Sequence, residues 1–214
     1  MNITLKTTPN HPELQNIQGI LQSLCLKAEQ EVANKILKLP EDVSILLDTN
    51  PSMVDPTIGV GGYTDSKNQI TLSLDPVRLE TIKDSEIFAT LVHELSHVKQ
   101  AYGPWYGTTL FDYIVFEGLG VAFEEQICGK ETYYPAYLRE NIDAPTLVKS
   151  IKHMFDYDDS QYNYMDFVVG SEELGIPPNA VYGIGLYIVD RYLARTGKKA
   201  SELLLEDSTV FRET

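Results

Sequence analysis

Two histidines four residues apart, His93 and His97, with a glutamate directly after the first, constrain this chain more than any other feature. The pattern H-E-x-x-H lies in a stretch with apolar residues at Ile87, Phe88, Leu91, Leu95 and Val98, a spacing that predicts a helix. Positions four apart share a helix face, so both imidazoles can grip one cation. Glu94 stands next to them and can take a proton from a water at that cation. One short segment therefore offers two zinc ligands and a general base.

The surrounding pattern places this helix in a mixed chain. Ser85 is a plausible N-cap with Glu86 in the first turn, and Gly103-Pro104 is a stop. Pro12 to Leu39 reads as one or two helices, with Ile17, Ile20, Leu21, Leu24, Ala28, Val32 and Ile36 near a 3.6 period, and Pro40 ends it. Val43 to Leu47 reads as a short strand. Asn50 to Tyr63, with Pro51, Pro56, Gly59, Gly61 and Gly62, reads as loop or turn. Gln69 to Leu74 alternates Ile70, Leu72 and Leu74 with Thr71 and Ser73, as a strand does. A second apolar helix is expected from about Leu110 to Ile127, closed by Gly129. Residues 131–178 are mixed, with helical patches near 144–155 and 161–169. A helix from Ala180 to Ala194 ends at Gly197, and a short one begins over Ser201 to Leu205. The order predicts an α+β fold: a small, mostly antiparallel sheet over the motif helix, with a mainly helical C-terminal part. A single domain over residues 1–214 is expected, with 1–57 as an N-terminal helical and strand segment.

A catalytic zinc site usually takes three protein ligands and leaves one position for water. The chain has four histidines, and the other two are His11 and His153. No further histidine follows at metzincin spacing. Glu117 is the best third ligand. It lies on the next expected helix, and Ile114, Val115, Phe116, Leu119 and Val121 surround it, so a lone charge there needs a partner or a metal. Glu124, Glu125 and Asp112 are alternatives. Glu124 and Glu125 read as solvated, although Glu124 shares the face of Glu117 and could support a ligand from behind.

The motif together with Glu117-Gly118-Leu119 resembles the gluzincins, zinc peptidases that take two histidines from the motif and a glutamate from the next helix. Within them the chain resembles a family of zinc-dependent proteases long listed as a domain of unknown function. Thr109-Leu110-Phe111-Asp112, Phe123-Glu124-Glu125 with Gly129, and Tyr182-Gly183-Ile184-Gly185 with Ile188-Val189 and Tyr192-Leu193 carry the resemblance over roughly residues 58–205. Gly120 departs from the family, where alanine is commoner. The resemblance implies a zincin-like fold and peptide-bond hydrolysis with one Zn²⁺ ion held by His93, His97 and Glu117. It also implies a donor to the oxyanion from a later helix, for which Tyr182 is the candidate and His153 the runner-up.

Other features weigh less. The strand at Gln69 to Leu74 could be the edge along which a peptide substrate lies. Gly59, Gly61 and Gly62 could admit substrate closely, although a turn is the plainer reading, and no phosphate-loop signature accompanies them. Asp156, Asp158 and Asp159 lack the glycine and glutamate of an EF-hand. Tyr133, Tyr134, Tyr137, Tyr157, Tyr162 and Tyr164 read as rings that cover a core. With 17 Lys and Arg against 31 Asp and Glu, the net charge is −14, which argues against a nucleic-acid partner. Cys25 and Cys128, both in apolar stretches, read as buried thiols. The N-terminus has no secretory pattern, and no apolar run reaches membrane-spanning length, so a cytoplasmic protein with no membrane partner is expected. A peptide or protein is the expected substrate. The competing readings are a non-catalytic zinc protein that binds a peptide or partner, and a metal hydrolase of a non-peptide substrate.

Overall fold

The computed structural model describes residues 2–7, 11–35, 42–103, 107–130 and 132–212. Ile36, Pro40 and Pro104, assigned above to helix ends, lie outside these. The backbone gathers into two compact units, Met1–Tyr102 and Gly103–Thr214.

The first unit begins with strand β1 (Asn2–Thr7), a 3₁₀ turn at Pro12–Ile17 and helix α1 (Gln18–Ala33). Strands β2 (Asp42–Asp48), β3 (Val60–Ser66) and β4 (Gln69–Leu74) follow, then helix α2 (Asp84–Gln100). The sheet order is β1-β2-β4-β3. β1 and β4 both run parallel to β2, and only β3 is antiparallel to its neighbour. The sheet is therefore mixed rather than mostly antiparallel. Two pairings are the reason: a helical crossover through α1 brings β2 back parallel to β1, and β4 runs parallel to β2 with β3 between them in the sequence.

Val43, Ile45, Leu47, Ile70, Leu72 and Leu74 are fully buried on one face of this sheet. α1 packs on β1, α2 packs on β3 and β4, and the two helices pack together. α2 is buried from Glu86 to Gln100 except at Thr90. It starts at Asp84 with Lys83 as N-cap, so Ser85 lies inside the first turn. The acids of that turn, Asp84 and Glu86, suit the positive end of the helix.

Two expectations about the sheet need correction. The stretch read as loop up to Tyr63 becomes strand at Val60, because Gly61 and Gly62 are needed there although glycine is poor in strands. A Cβ at Gly61 would run into the Met53 carbonyl. β4 is flanked by β2 and β3, so it is not an edge; the edges are β1 and β3.

The second unit is helical: α3 (Leu110–Cys128), α4 (Tyr133–Asn141), α5 (Ala144–Ile151), α6 (Met165–Val168) and α7 (Ala180–Thr196). Thr109 and Asp112 form a capping box that starts α3. Gly129 (φ 95°) and Gly197 (φ 70°) end α3 and α7. α4 emerges within the stretch read as mixed. The expected final helix is instead a pair of 3₁₀ turns at Ala200–Glu202 and Ser208–Phe211. No helix among the described residues is long and apolar enough to cross a membrane.

α3 and α7 meet backbone to backbone. A Cβ on Gly118 would strike the Gly185 carbonyl group, and one on Gly185 would strike the Ile114 carbonyl and come within 2.7 Å of Gly118 Cα. Gly183 is similarly closed off by the Ile142 side chain at 2.7 Å. Gly185→Ala is expected to lower stability by about 1–3 kcal/mol, because the obstructing atoms are backbone and the helices must separate. Gly19, inside α1 with nothing within 4 Å of an added Cβ, is the contrasting case. Gly19→Ala is expected to raise stability by about 0.5–1 kcal/mol. Urea denaturation midpoints followed by circular dichroism check both.

Candidate functional site

α2 brings His93, Glu94 and His97 together as its sequence spacing requires. Their ligating atoms all lie within 4.8 Å of one another. The three residues are 7%, 5% and 5% exposed. The two Nε2 atoms face each other at 2.9 Å, with the rings nearly perpendicular. Gln100, the next residue but two, lies with its Oε1 2.7 Å from His97 Nδ1. When Nδ1–H donates to that oxygen, the lone pair of His97 is on Nε2, the nitrogen turned toward His93. Two nitrogens on a tetrahedral zinc ion sit about 3.3 Å apart, given Zn–N bonds of about 2.0–2.1 Å. The pair is therefore close to ligating separation. His97 also belongs to the last turn of α2, where the negative end of the helix dipole favours a cation. The donor set fits a zinc ion.

Glu94 is held by β3. The Thr64 hydroxyl donates to Glu94 Oε2 at 2.7 Å and lies 3.0 Å from the Glu94 carbonyl oxygen. Gly62, two residues earlier on the same face of the strand, leaves the space that the rest of the carboxylate fills. A Cβ there would overlap Glu94 Cγ and come 2.6 Å from Oε1. The glycines of this strand thus make room for atoms of the chain itself. In sequence Gly62 reads as a turn glycine or as room for substrate, not as a seat for Glu94, and Thr64 does not stand out. The signal was a pair of glycines before alternating strand residues, which reads equally well as a turn.

The second unit holds Glu117 and Tyr182. Glu117 is 8% exposed on α3, one residue before the Gly118–Gly185 crossing. Its Oε1 accepts a hydrogen bond of 2.9 Å from the hydroxyl of Tyr164. Burial, the charge of Glu117 and the nearby Tyr182 hold the Tyr164 phenol well above its ordinary pKa, so it stays protonated and donates. Tyr182, half-buried at the start of α7, meets Tyr134 edge to face at 5.7 Å. In sequence Tyr164 reads with the tyrosines that cover a core, and nothing in its local pattern separates it from them.

The alternatives to Glu117 mostly have other work. Asp112 accepts from the Thr108 and Thr109 backbone at 3.1 and 3.0 Å and from Ser208 at 2.5 Å. Burial alone would raise its pKa, but these donors outweigh burial and lower it. Glu125 is not solvated: its side chain is 15% exposed and bidentate with Arg139 at 2.8 Å, and Arg139 also reaches Asp190 at 2.9 Å. Glu124 is not solvated either, being only 2% exposed. His153 is exposed against Tyr157. Asp156 pairs with Arg212 and Asp158 caps the Ser160 turn, which accounts for two of the three clustered aspartates. Cys25 is buried and its thiol pushed up to about 12 by desolvation, whereas Cys128 is half-buried rather than fully so.

No curated protein and no solved structure matches the chain. A family model does, over residues 21–212, a wider span than the 58–205 carried by the motifs and one that takes in most of α1 and all of β2. With the histidine pair and its glutamate inside that span, the chain belongs to the family described as predicted Zn-dependent proteases (DUF2268).

Proposed function

We propose that this protein is a zinc-dependent peptidase on a zincin-like framework. His93, His97 and Glu117 are the ligands of one zinc ion, and Glu94 is the general base. The observation that carries the reading is the buried convergence of two imidazole Nε2 atoms at 2.9 Å beside a carboxylate that β3 holds in place. Family membership supports zinc dependence and proteolysis. Burial of Glu117 in the apolar face of α3 supports it as the third ligand, and the commitments of Asp112 and Glu125 leave it stronger than either.

A zinc ion held there supplies Lewis acidity, polarising a carbonyl and lowering the pKa of a water toward about 7. Glu94 takes a proton from the water that attacks the carbonyl carbon and returns it to the departing amine nitrogen. Thr64 occupies Oε2, so Oε1, lying over Gly62, is the oxygen that exchanges the proton. Gln100 fixes the His97 tautomer. Tyr182 is the donor to the developing oxyanion; the exposure of His153 removes support from that alternative. The edge on which an extended peptide can add is β3, not β4, and the exposed Tyr63 lies along it. An edge strand of this kind supports a peptide or protein substrate over a small non-peptide ester or amide. A purely binding role is disfavoured by Glu94. Keeping a carboxylate 5% exposed costs free energy that zinc binding by the histidines does not require.

Glu94→Gln is expected to retain zinc and to lose about 10²–10⁴ in turnover, the range of general acid–base catalysis. Wild type and variant are compared on a mixed peptide library with zinc measured on both; equal cleavage by the two would end the assignment of Glu94. Glu117→Ala is expected to fold but to lose tight zinc, read by chelator competition, and tight binding in that variant would exclude the third-ligand role. Gly62→Ala is expected to keep zinc while turnover falls on the order of 10²-fold, since the new methyl displaces the base by a fraction of an ångström or more. A wild-type rate in Gly62→Ala would show that the position of the Glu94 carboxylate does not matter.

A further inference from the structure

We infer that Tyr164 orients Glu117 for the metal, a positioning role that rests on Glu117 being the third ligand. The hydroxyl of Tyr164 donates to Glu117 Oε1 at 2.9 Å. Its ring lies 5.1 Å from that of Tyr113. Tyr113 precedes Glu117 by four residues on α3, so ring and hydroxyl follow one face of that helix. Tyr164 therefore lies along α3 and ends on the carboxylate.

The segment that carries Tyr164 is tied down on both sides. Before it, the Leu110 and Phe111 amides at the start of α3 donate to the carbonyls of Tyr157 and Phe155 at 2.9 and 3.0 Å, and Thr109 bridges Asp158. After it, the Asn179 amide donates to the Val168 carbonyl at 2.8 Å, just ahead of α7. Within it, Asn163 Oδ1 accepts from the Met165 amide at 3.2 Å and the Asn163 side-chain amide donates to Asp166 at 3.1 Å. Phe167 is fully buried. The turn bearing Tyr164 is thus ordered by bonds that do not involve its hydroxyl, and the hydroxyl adds little further loss of freedom when it meets Glu117.

A donor behind a ligating carboxylate fixes its plane and shares its charge. Losing such a partner typically weakens metal binding about 10–100-fold. Tyr164 is the hydroxyl that performs this service for Glu117, as Gln100 does for His97.

The test uses the full chain with Zn²⁺ as probe. Affinity is measured by chelator competition for wild type, Tyr164→Phe, Glu117→Ala and the double variant, alongside thermal unfolding of each metal-free form. Cobalt(II) spectra of wild type and Tyr164→Phe provide a second readout. Tyr164→Phe is expected to weaken zinc about 10–100-fold, to alter the cobalt spectrum, and to unfold like wild type when metal-free. In the Glu117→Ala background the same change is expected to cost nothing more. Wild-type affinity in Tyr164→Phe, with zinc lost in Glu117→Ala, would overturn the inference and leave the third ligand standing. An equal loss in both backgrounds would also overturn it, because Tyr164 would then act on the fold. Wild-type affinity in Glu117→Ala would remove the third-ligand reading, and the role of Tyr164 with it.

Discussion

The contact between Glu94 and strand β3 is the constraint on which the first unit turns. A buried carboxylate needs donors, or its desolvation works against folding. α2 cannot supply them, because its own amides are spent on helix bonds. β3 supplies Thr64 as donor and, at Gly62, the absence of a side chain. Both residues must sit on the face of β3 that α2 covers. Strand alternation provides this, since Gly62 and Thr64 are two apart and pair with Leu72 and Ile70 of β4. The register of one hairpin therefore sets the position of the Glu94 carboxylate, and a slip by one residue would present Gly61 and Tyr63 in their place.

The second unit solves a similar problem by helix contact. α3 carries Glu117 directly before Gly118, and α7 carries Tyr182 three residues before Gly185. The two glycines let the helix backbones touch, which leaves little freedom to slide or rotate. Side chains adjacent to such a crossing inherit its rigidity. Gly120 weakens helix propensity in α3; the tight packing of α3 on α7 offsets that cost.

Periodicity made the long elements legible: α2, α3 and α7 have the spacing of buried helices, and His93, Glu94 and His97 come together because four residues make about one turn. What stayed hidden depends on pairing at a distance. β3 is obscured because Gly61 and Gly62 disfavour strands locally, and Met53 in the turn before it and Glu94, far along the chain, explain them. β1 alternates properly, yet its six residues carry a weak signal, and with β1 and β3 both unassigned neither parallel pairing could be foreseen. α4 is short and rich in tyrosine, so its pattern competes with that of a covered loop. Tyr164 looks like its neighbours Tyr157 and Tyr162 until the fold sets its hydroxyl on Glu117.

The histidine pair would also tie folding to a cation that it held. With Nδ1–H of His97 donated to Gln100, its Nε2 offers a lone pair toward the Nε2 of His93 at 2.9 Å. Two such nitrogens buried at that distance share either a proton or a cation, because two lone pairs facing each other in a medium of low dielectric repel. A proton satisfies one bond; a divalent ion satisfies both nitrogens at once and complements the negative end of α2. A ligand that binds only the folded arrangement stabilises it by mass action. The burial that makes these side chains costly to hold together is thus the same feature that makes a zinc ion favourable among them, and α2 and β3 are the elements through which that stabilisation reaches the rest of the first unit.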